Sequence, residues 1–361
     1  MLASPQATAA YAASHPELPE NFRLLDGLSV SSLGLGTYLG RDNQADDDSY
    51  QQAILYALAH GVNVVDTAIN YRAQRSERLI GHCLRQLAEL HLTREQLVIS
   101  TKAGYLPFDG AVPQDRQAYL RRVYFDSGLA PAAEVVGGNH CLAPGYLRDQ
   151  LARSLRNLGL SGVDIFYLHN PETQLTTVAR PEFLRRLRAA FAVGEELAQA
   201  GVIGRYGCAT WSGFRVPPSD PGHLSLAELH GLAQELAGAE HHFRVIQLPL
   251  NLAMTEAVRQ PTQLVQGEAM TLLQAAERLG IAVVASGSLG QGKLLARPLP
   301  EALTTALPGL RRDSQCLLQI VRSAPGIATA LCGCKGLAHV RENLTLLTVP
   351  PLSRQQFARL L

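Results

Sequence analysis

The chain has 361 residues, 47% of them hydrophobic, with 32 basic side chains against 31 acidic ones and a formal net charge of +1. That apolar content supports a large core and excludes disorder along the whole chain, and the balanced charge lacks the basic excess of a nucleic-acid binder. No stretch approaches the ~20 apolar residues needed to cross a bilayer.

The first 21 residues, rich in Ala, Ser and Pro, lack the basic start and apolar run of an export signal and are expected to form a tail outside the repeating units. A cytoplasmic location is expected, with no nucleic-acid or membrane partner and an oligomeric state that the sequence leaves open. The six cysteines (Cys83, Cys141, Cys208, Cys316, Cys332, Cys334) are too sparse for a disulfide framework and read as reduced thiols. Cys332 and Cys334 find no second Cys or His pair to complete a metal site, so no metal is expected.

After the tail, residues 22–30 (FRLLDGLSV) read as a hairpin. Eight short apolar runs follow: 32–37, 62–67, 97–101, 163–169, 202–210, 245–250, 281–285 and 327–331. Several are rich in Val and Ile, and most are too short for independent helices, so they read as buried strands. Between them lie stretches of helical spacing. Residues 50–60 align Ile54, Leu55 and Leu58, and residues 76–90 align Leu79, Ile80, Cys83, Leu84 and Leu87. Residues 144–158 align Leu147, Leu151, Leu155 and Leu158, with a weaker stripe over 270–279. Gly61, Gly159, Gly201 and Gly280 stand where such helices end before the next strand.

Strand and helix alternating about eight times predict an α/β fold with a closed parallel sheet, a (β/α)8 TIM barrel, with the hairpin over its floor. No GxGxxG follows the first strand, which argues against an open dinucleotide-binding sheet. One barrel domain over residues 22–361 is expected. Residues 104–143 are too long for an ordinary connection and read as an insertion or lid, the alternative being a surface segment that meets a neighbouring subunit.

In such a barrel the chemistry sits where the strands end. Asp66 and then Tyr71 follow the second run, Lys102 the third and His169 the fourth, with Thr210 after the fifth, Gln247 in the sixth and Ser286 after the seventh. Singly, each has an ordinary role open to it, as a turn cap, a loop lysine or a packed ring. Together Asp66, Tyr71, Lys102 and His169 are four different chemistries expected to converge on one rim.

The runs that carry these residues, DTAINY (66–71), STK (100–102) and FYLHN (166–170), resemble the catalytic signatures of the aldo-keto reductases. IQLPLN (246–251), SLGQGKLL (288–295) and GCKGLAHVREN (333–343) resemble that family's cofactor segments, and the match runs in order from about residue 33 to 343. The resemblance implies an NAD(P)H-dependent oxidoreductase that reduces a small-molecule aldehyde or ketone reversibly, using NADPH with NADH possible. Asp66, Tyr71, Lys102 and His169 would be catalytic, with Tyr71 as proton donor. A free tyrosine titrates near ~10, and the expectation is that the Lys102 ammonium lowers that value while Asp66 aims the lysine and His169 orients the substrate oxygen.

By the same resemblance Gly36, Thr37, Thr210, Gln247, Ser286 and Lys293 would bind the cofactor, with Gln247 on the nicotinamide carboxamide. Ser288, Leu289 and Gln291 would follow the pyrophosphate. Gly333, Cys334 and Lys335 would meet a phosphate, and His339, Glu342 and Asn343 the adenosine end. The chain departs from the family pattern in reading Ala209–Thr210 for the usual Ser-Asn, Ser286 for an aromatic, and His339 for Arg or Gln. Two other readings stay open: a cofactor-binding regulatory subunit with little turnover, and a lyase using Lys102 as a Schiff-base nucleophile.

Overall fold

The computed structural model describes residues 1–361 except Pro19, Pro308, Cys334 and Leu361. Eight parallel strands close into a barrel: β1 (Leu33–Gly36), β2 (Val64–Asp66), β3 (Val98–Ala103), β4 (Val163–His169), β5 (Ile203–Ala209), β6 (Phe243–Pro249), β7 (Ala282–Ser286) and β8 (Ile327–Cys332). Each falls on one of the eight apolar runs, and β8 pairs back onto β1 through Ala330–Leu33, Leu331–Gly34 and Cys332–Leu35.

The helices between them are α1 (Gln44–Leu58), α2 (Arg75–Leu84), α3 (Pro144–Leu158), α4 (Arg180–Gln199), α5 (Leu226–Ala237), α6 (Leu272–Leu279), α7 (Asp313–Ser323) and α8 (Leu337–Leu344). The α1 helix starts earlier than its apolar stripe because Asn43 caps it, accepting from the Asp46 N–H. Gly159 and Gly280 end α3 and α6 in the left-handed conformation at φ 66° and 67°, where a side chain would be strained.

Two apolar clusters result. The larger lies between the barrel and its helices. The smaller fills the barrel, where Val64, Val98, Ile165, Val245 and Leu331 meet Leu25, Leu28 and Val30 of the hairpin Phe22–Leu25/Leu28–Ser31, which closes the floor. The first 21 residues carry a helix, Pro5–Ala13, whose buried Tyr11 donates from its hydroxyl to the Leu58 and Val62 carbonyls. Ala3 N–H donates to Asp164, stitching the segment under the barrel.

Residues 104–143 hold a short helix (Arg116–Leu120), a further turn (Arg121–Phe125) and the paired strands Val135–Val136 and His140–Cys141. Arg116, Arg121, Arg122 and Asp126 are exposed. Tyr124 is buried and packs edge-on against Tyr146 of α3. Cys83, Cys141, Cys208 and Cys316 are buried thiols in no disulfide. Among the described residues, no helix is long and apolar enough to cross a membrane and no group of His, Cys, Asp and Glu is placed to hold a metal.

Candidate active site

Parallel register decides where the polar side chains meet. Asp66 ends β2 opposite Ser100, and Lys102 lies two residues further along β3. Residues two apart on a strand share a face, so Ser100 and Lys102 both point into the barrel. Thr101 points outward and donates to Glu77 at 2.6 Å. Inside, Lys102 Nζ donates to Asp66 Oδ2 at 2.5 Å and to the Thr67 carbonyl at 2.8 Å. The other carboxylate oxygen of Asp66 accepts from Ser100 Oγ at 2.6 Å and Gln247 Nε2 at 2.9 Å.

The Lys102 ammonium sits 4.9 Å from the centre of the Tyr71 ring. The Tyr71 ring meets that of His169 edge-on at 5.8 Å, with Tyr38 on its other side at 5.0 Å. Tyr71 opens a turn whose next three residues, Arg72, Ala73 and Gln74, all have positive φ, at 48°, 50° and 70°. Left-handed backbone at non-glycine residues costs of order 1–3 kcal/mol each and persists only where the surroundings enforce it. The enforcement is visible: Arg72 donates to the Arg41 carbonyl at 2.9 Å and to Asp47 at 2.6 Å, Gln74 donates to the Phe108 carbonyl, and Gly110 N–H donates to the Ala73 carbonyl. The clamped turn fixes the phenol at the barrel mouth.

Electrostatics there differ from the sequence expectation in one respect. Burial, reinforced by the Asp66 charge, raises the Tyr71 phenol well above its ordinary value instead of lowering it. Loss of hydration penalises the phenolate more than the nearby ammonium favours it. Lys102 is itself lowered by burial, which the Asp66 partner opposes. His169 is held neutral, far below the usual imidazole range, by burial and by the Lys102 charge.

These groups border a cavity of about 1300 Å³ that runs from the barrel mouth to the start of α8. Asp66, Tyr71 and His169 line it; Lys102 lies behind them, buried. Of the expected cofactor residues, Gly36, Thr37, Thr210, Gln247 and Ser286 surround its inner end. Ser288, Leu289 and Gln291 line its middle, and Gly333, Lys335, His339, Glu342 and Asn343 its outer end. Two expectations need correction. Lys293 is exposed and is not among the lining residues. Lys335 is already engaged, with Nζ 2.9 Å from both Asp46 carboxylate oxygens. Gln247 turns its amide N–H toward Asp66. Cys334 lies outside the described residues.

Sequence reasoning missed Tyr38, Asn70 and the pair Arg311–Arg312, which line the cavity together with Trp211 just after β5 and Tyr105 of the insertion. The only available signal was Arg-Arg-Asp-Ser ahead of a helix, which reads equally as a solvated helix start. The residues present fit a dinucleotide. Thr210 Oγ1, Ser288 Oγ and the His169 Nδ1 atom are buried without a partner among the described residues, a costly condition that a polar ligand would relieve.

The aldo/keto reductase family model matches residues 32–303, about three quarters of the chain. The chain belongs to the aldo/keto reductase family. Its barrel superposes on the NADPH complex of an aldo-keto reductase from Klebsiella pneumoniae with a TM-score of 0.63 at 20% identity, over 94% of this chain and 93% of that one. At that identity the likeness is one of fold. The chain is 29% identical over 187 residues to the NADH-specific methylglyoxal reductase of Escherichia coli (strain K12), covering 50% of this chain and 49% of that protein. It is 30% identical over 146 residues to a probable voltage-gated potassium channel subunit beta of Arabidopsis thaliana, covering 40% and 35%. The match thus spans half or less of these relatives' length.

Proposed function

We propose that this family member is an NAD(P)H-dependent oxidoreductase that reduces an aldehyde or ketone to an alcohol, reversibly, with Tyr71 as the proton donor. The carrying observation is the Tyr71 phenol at the cavity wall, edge-on to the neutral His169 and backed by the buried Lys102–Asp66 pair. A nicotinamide bound along the cavity supplies the hydride. The ring of His169 donates a hydrogen bond to the substrate oxygen and orients it. Tyr71, kept protonated by its desolvated setting, delivers the proton to that oxygen. Lys102 meets the charge left on the phenolate, and Asp66 keeps the lysine charged and aimed.

Thr210, Ser288 and Gln247 would hold the inner half of the cofactor, and Gly333 would meet its phosphates, with Lys335 held on Asp46. NADPH is the expected cofactor, with NADH open given the named specificity of the Escherichia coli relative. Residues 104–143 shape the substrate end in this reading: Tyr105 lines the main cavity, and Leu106, Pro107 and Phe108 line a smaller pocket beside it. The Schiff-base reading fits less well, because Lys102 is buried with its ammonium bonded to Asp66 and Thr67.

The test is oxidation of NADPH and NADH with a panel of aldehydes and ketones, in the parent protein and in Tyr71→Phe. The variant is expected to lose at least ~100-fold in turnover, the scale of a positioned general acid, with cofactor affinity unchanged. Activity within a few-fold of the parent would overturn the role. Cofactor binding without turnover on any carbonyl would favour the regulatory-subunit alternative.

A further inference from the structure

A buried polar chain outside the four proposed catalytic residues runs through His140, which sits in the insertion on the short strand His140–Cys141. It is fully buried, as is Gln174 on the turn after β4, while Arg186 of α4 is 7% exposed. Arg186 Nη1 lies 2.7 Å from Gln174 Oε1. A guanidinium only donates, so this contact fixes which end of the Gln174 amide is oxygen. The amide nitrogen then faces His140 Nδ1 at 2.8 Å and the His140 carbonyl at 3.2 Å. Nδ1 must accept, so the neutral ring carries its hydrogen on Nε2. That atom lies 2.8 Å from the carbonyl oxygen of His169.

We infer that His140 is a positioning residue: the chain Arg186 to Gln174 to His140 locks one imidazole tautomer, which anchors the main chain of His169 and aims its ring at the substrate oxygen. The inference rests on the carbonyl-reductase reading above for its kinetic consequence, but the tautomer itself does not.

Two further observations support it. The backbone at the start of the insertion, just after β3, is shaped for this contact, since a Cβ on Gly104 would stand 2.6 Å from the His169 oxygen and 2.9 Å from His140 Nε2. Any side chain there would drive the two apart. Tyr105 then packs edge-on against both rings, at 4.9 Å from His140 and 5.2 Å from His169. Its hydroxyl accepts from Asn170 Nδ2 at 3.1 Å. The ring of His169 thus has a fixed main chain beneath it and Tyr105 and Tyr71 against its faces and edges. Burial pushes the His140 imidazole down to about 4, so the neutral tautomer persists through neutral pH.

The substitutions are His140→Leu, which deletes the donor, and His140→Gln, whose amide nitrogen reaches the same place and still donates. His140→Leu is expected to lower kcat for carbonyl reduction about 10- to 100-fold, the scale of a small misplacement of a catalytic group, with the NADPH dissociation constant unchanged within about threefold. His140→Gln is expected to recover most of the loss. A folded His140→Leu protein with kcat within about threefold of the parent overturns the inference, as does loss in both variants alike. Should His140→Leu fail to fold, ¹⁵N NMR of histidine-labelled parent protein decides, with the His140 signal assigned by its disappearance in His140→Gln. The expected signature is a protonated Nε2 and an unprotonated Nδ1, and the opposite tautomer overturns the relay. That spectrum needs no turnover, so failure of the relay and failure of the reductase reading remain distinguishable.

Discussion

The Lys102 ammonium and the Asp66 carboxylate meet at 2.5 Å with side chains 1% and 5% exposed, so neither charge has water as an alternative partner. Removing one member of such a pair leaves the other charged and buried, which typically costs about 3–5 kcal/mol. Lys102→Met is therefore expected to be strongly destabilising. Adding Asp66→Asn should recover part of that cost, with a coupling of at least ~1 kcal/mol in a double-mutant cycle. Urea unfolding of the four proteins measures it. Simple additivity would mean that Ser100 and Gln247 alone satisfy Asp66.

With Tyr71 as the proposed proton donor, the pH dependence of reduction would follow from its raised phenol. A proton donor must hold its proton, and a tyrosine shifted upward does so to beyond its ordinary value of ~10. Reduction is thus expected to show no falling limb attributable to Tyr71 between about pH 7 and about pH 9. Alcohol oxidation needs the phenolate as base, so its rate should climb with pH over the same range. Rate profiles in both directions check this; a falling limb in reduction centred near pH 8 would mean that the lysine field outweighs burial once the site is filled.

Acid should weaken the fold through its buried histidines. His140 is pushed down to about 4 and His169 well below the ordinary value of 6.5, both by burial. The unfolded chain binds these protons from about pH 6.5 downward while the folded chain refuses them, so stability is full above that pH and falls as pH drops. At ~1.4 kcal/mol per pH unit, His140 alone accounts for about 2 kcal/mol lost between pH 6.5 and about pH 5. The buried Glu77 and Glu172, both raised by burial, oppose this trend in parent and variant alike, so urea unfolding at the two pH values should show a steeper loss in the parent than in His140→Gln. An unchanged slope would mean that His140 is protonated in the folded protein.

The barrel was legible because its strands are short apolar runs and its chemistry sits where they end, a rule that needs only the sequence. That rule places Asp66, Lys102 and His169 at the mouth, where Asp66 and His169 line the cavity and Lys102 lies behind them. Helix α4 was not singled out: its sequence alternates Arg and Ala with apolar residues, and its buried Arg186 reads as a surface charge until Gln174 and Glu182 are beside it. Tyr38 and the pair Arg311–Arg312 were missed as cavity residues for a related reason. Both lie on connections whose paths are set by long-range contacts that leave no periodic trace. The direction of the Tyr71 shift was misjudged because sequence names the nearby charge but not the depth of burial, and burial wins.

Trp211 is the chain's only tryptophan and lines the cavity at 44% exposure. Its loop is held by the buried Glu172, whose Oε1 accepts from the N–H groups of Trp211, Ser212 and Gly213 at 2.8, 3.0 and 3.3 Å. Glu172→Ala orphans all three donors and is expected to cost about 2–3 kcal/mol or more, to red-shift Trp211 emission and to weaken substrate binding. Glu172→Gln keeps an acceptor oxygen and should stay close to the parent. Emission and kinetics unaltered in Glu172→Ala would show that the loop holds its path without the carboxylate.

Cofactor discrimination at the outer end of the cavity should depend less on Lys335 than its sequence position suggests. Its ammonium is 2.9 Å from both oxygens of Asp46, and that partner lowers the Asp46 carboxyl in turn. Arg312, by contrast, is 65% exposed and reaches Glu342 only at 3.5 Å, so its guanidinium is free to turn toward an added phosphate. Lys335→Ala is expected to change the NADPH:NADH affinity ratio by no more than about threefold. Arg312→Ala should lower that ratio by the roughly 1–3 kcal/mol of a charge-assisted hydrogen bond. Asp46→Asn, which releases the lysine, should raise it. Equilibrium titration of each variant with both cofactors gives the ratios. A tenfold fall in Lys335→Ala beside a neutral Arg312→Ala would reverse the assignment and show that the cofactor phosphate displaces Asp46 from the lysine.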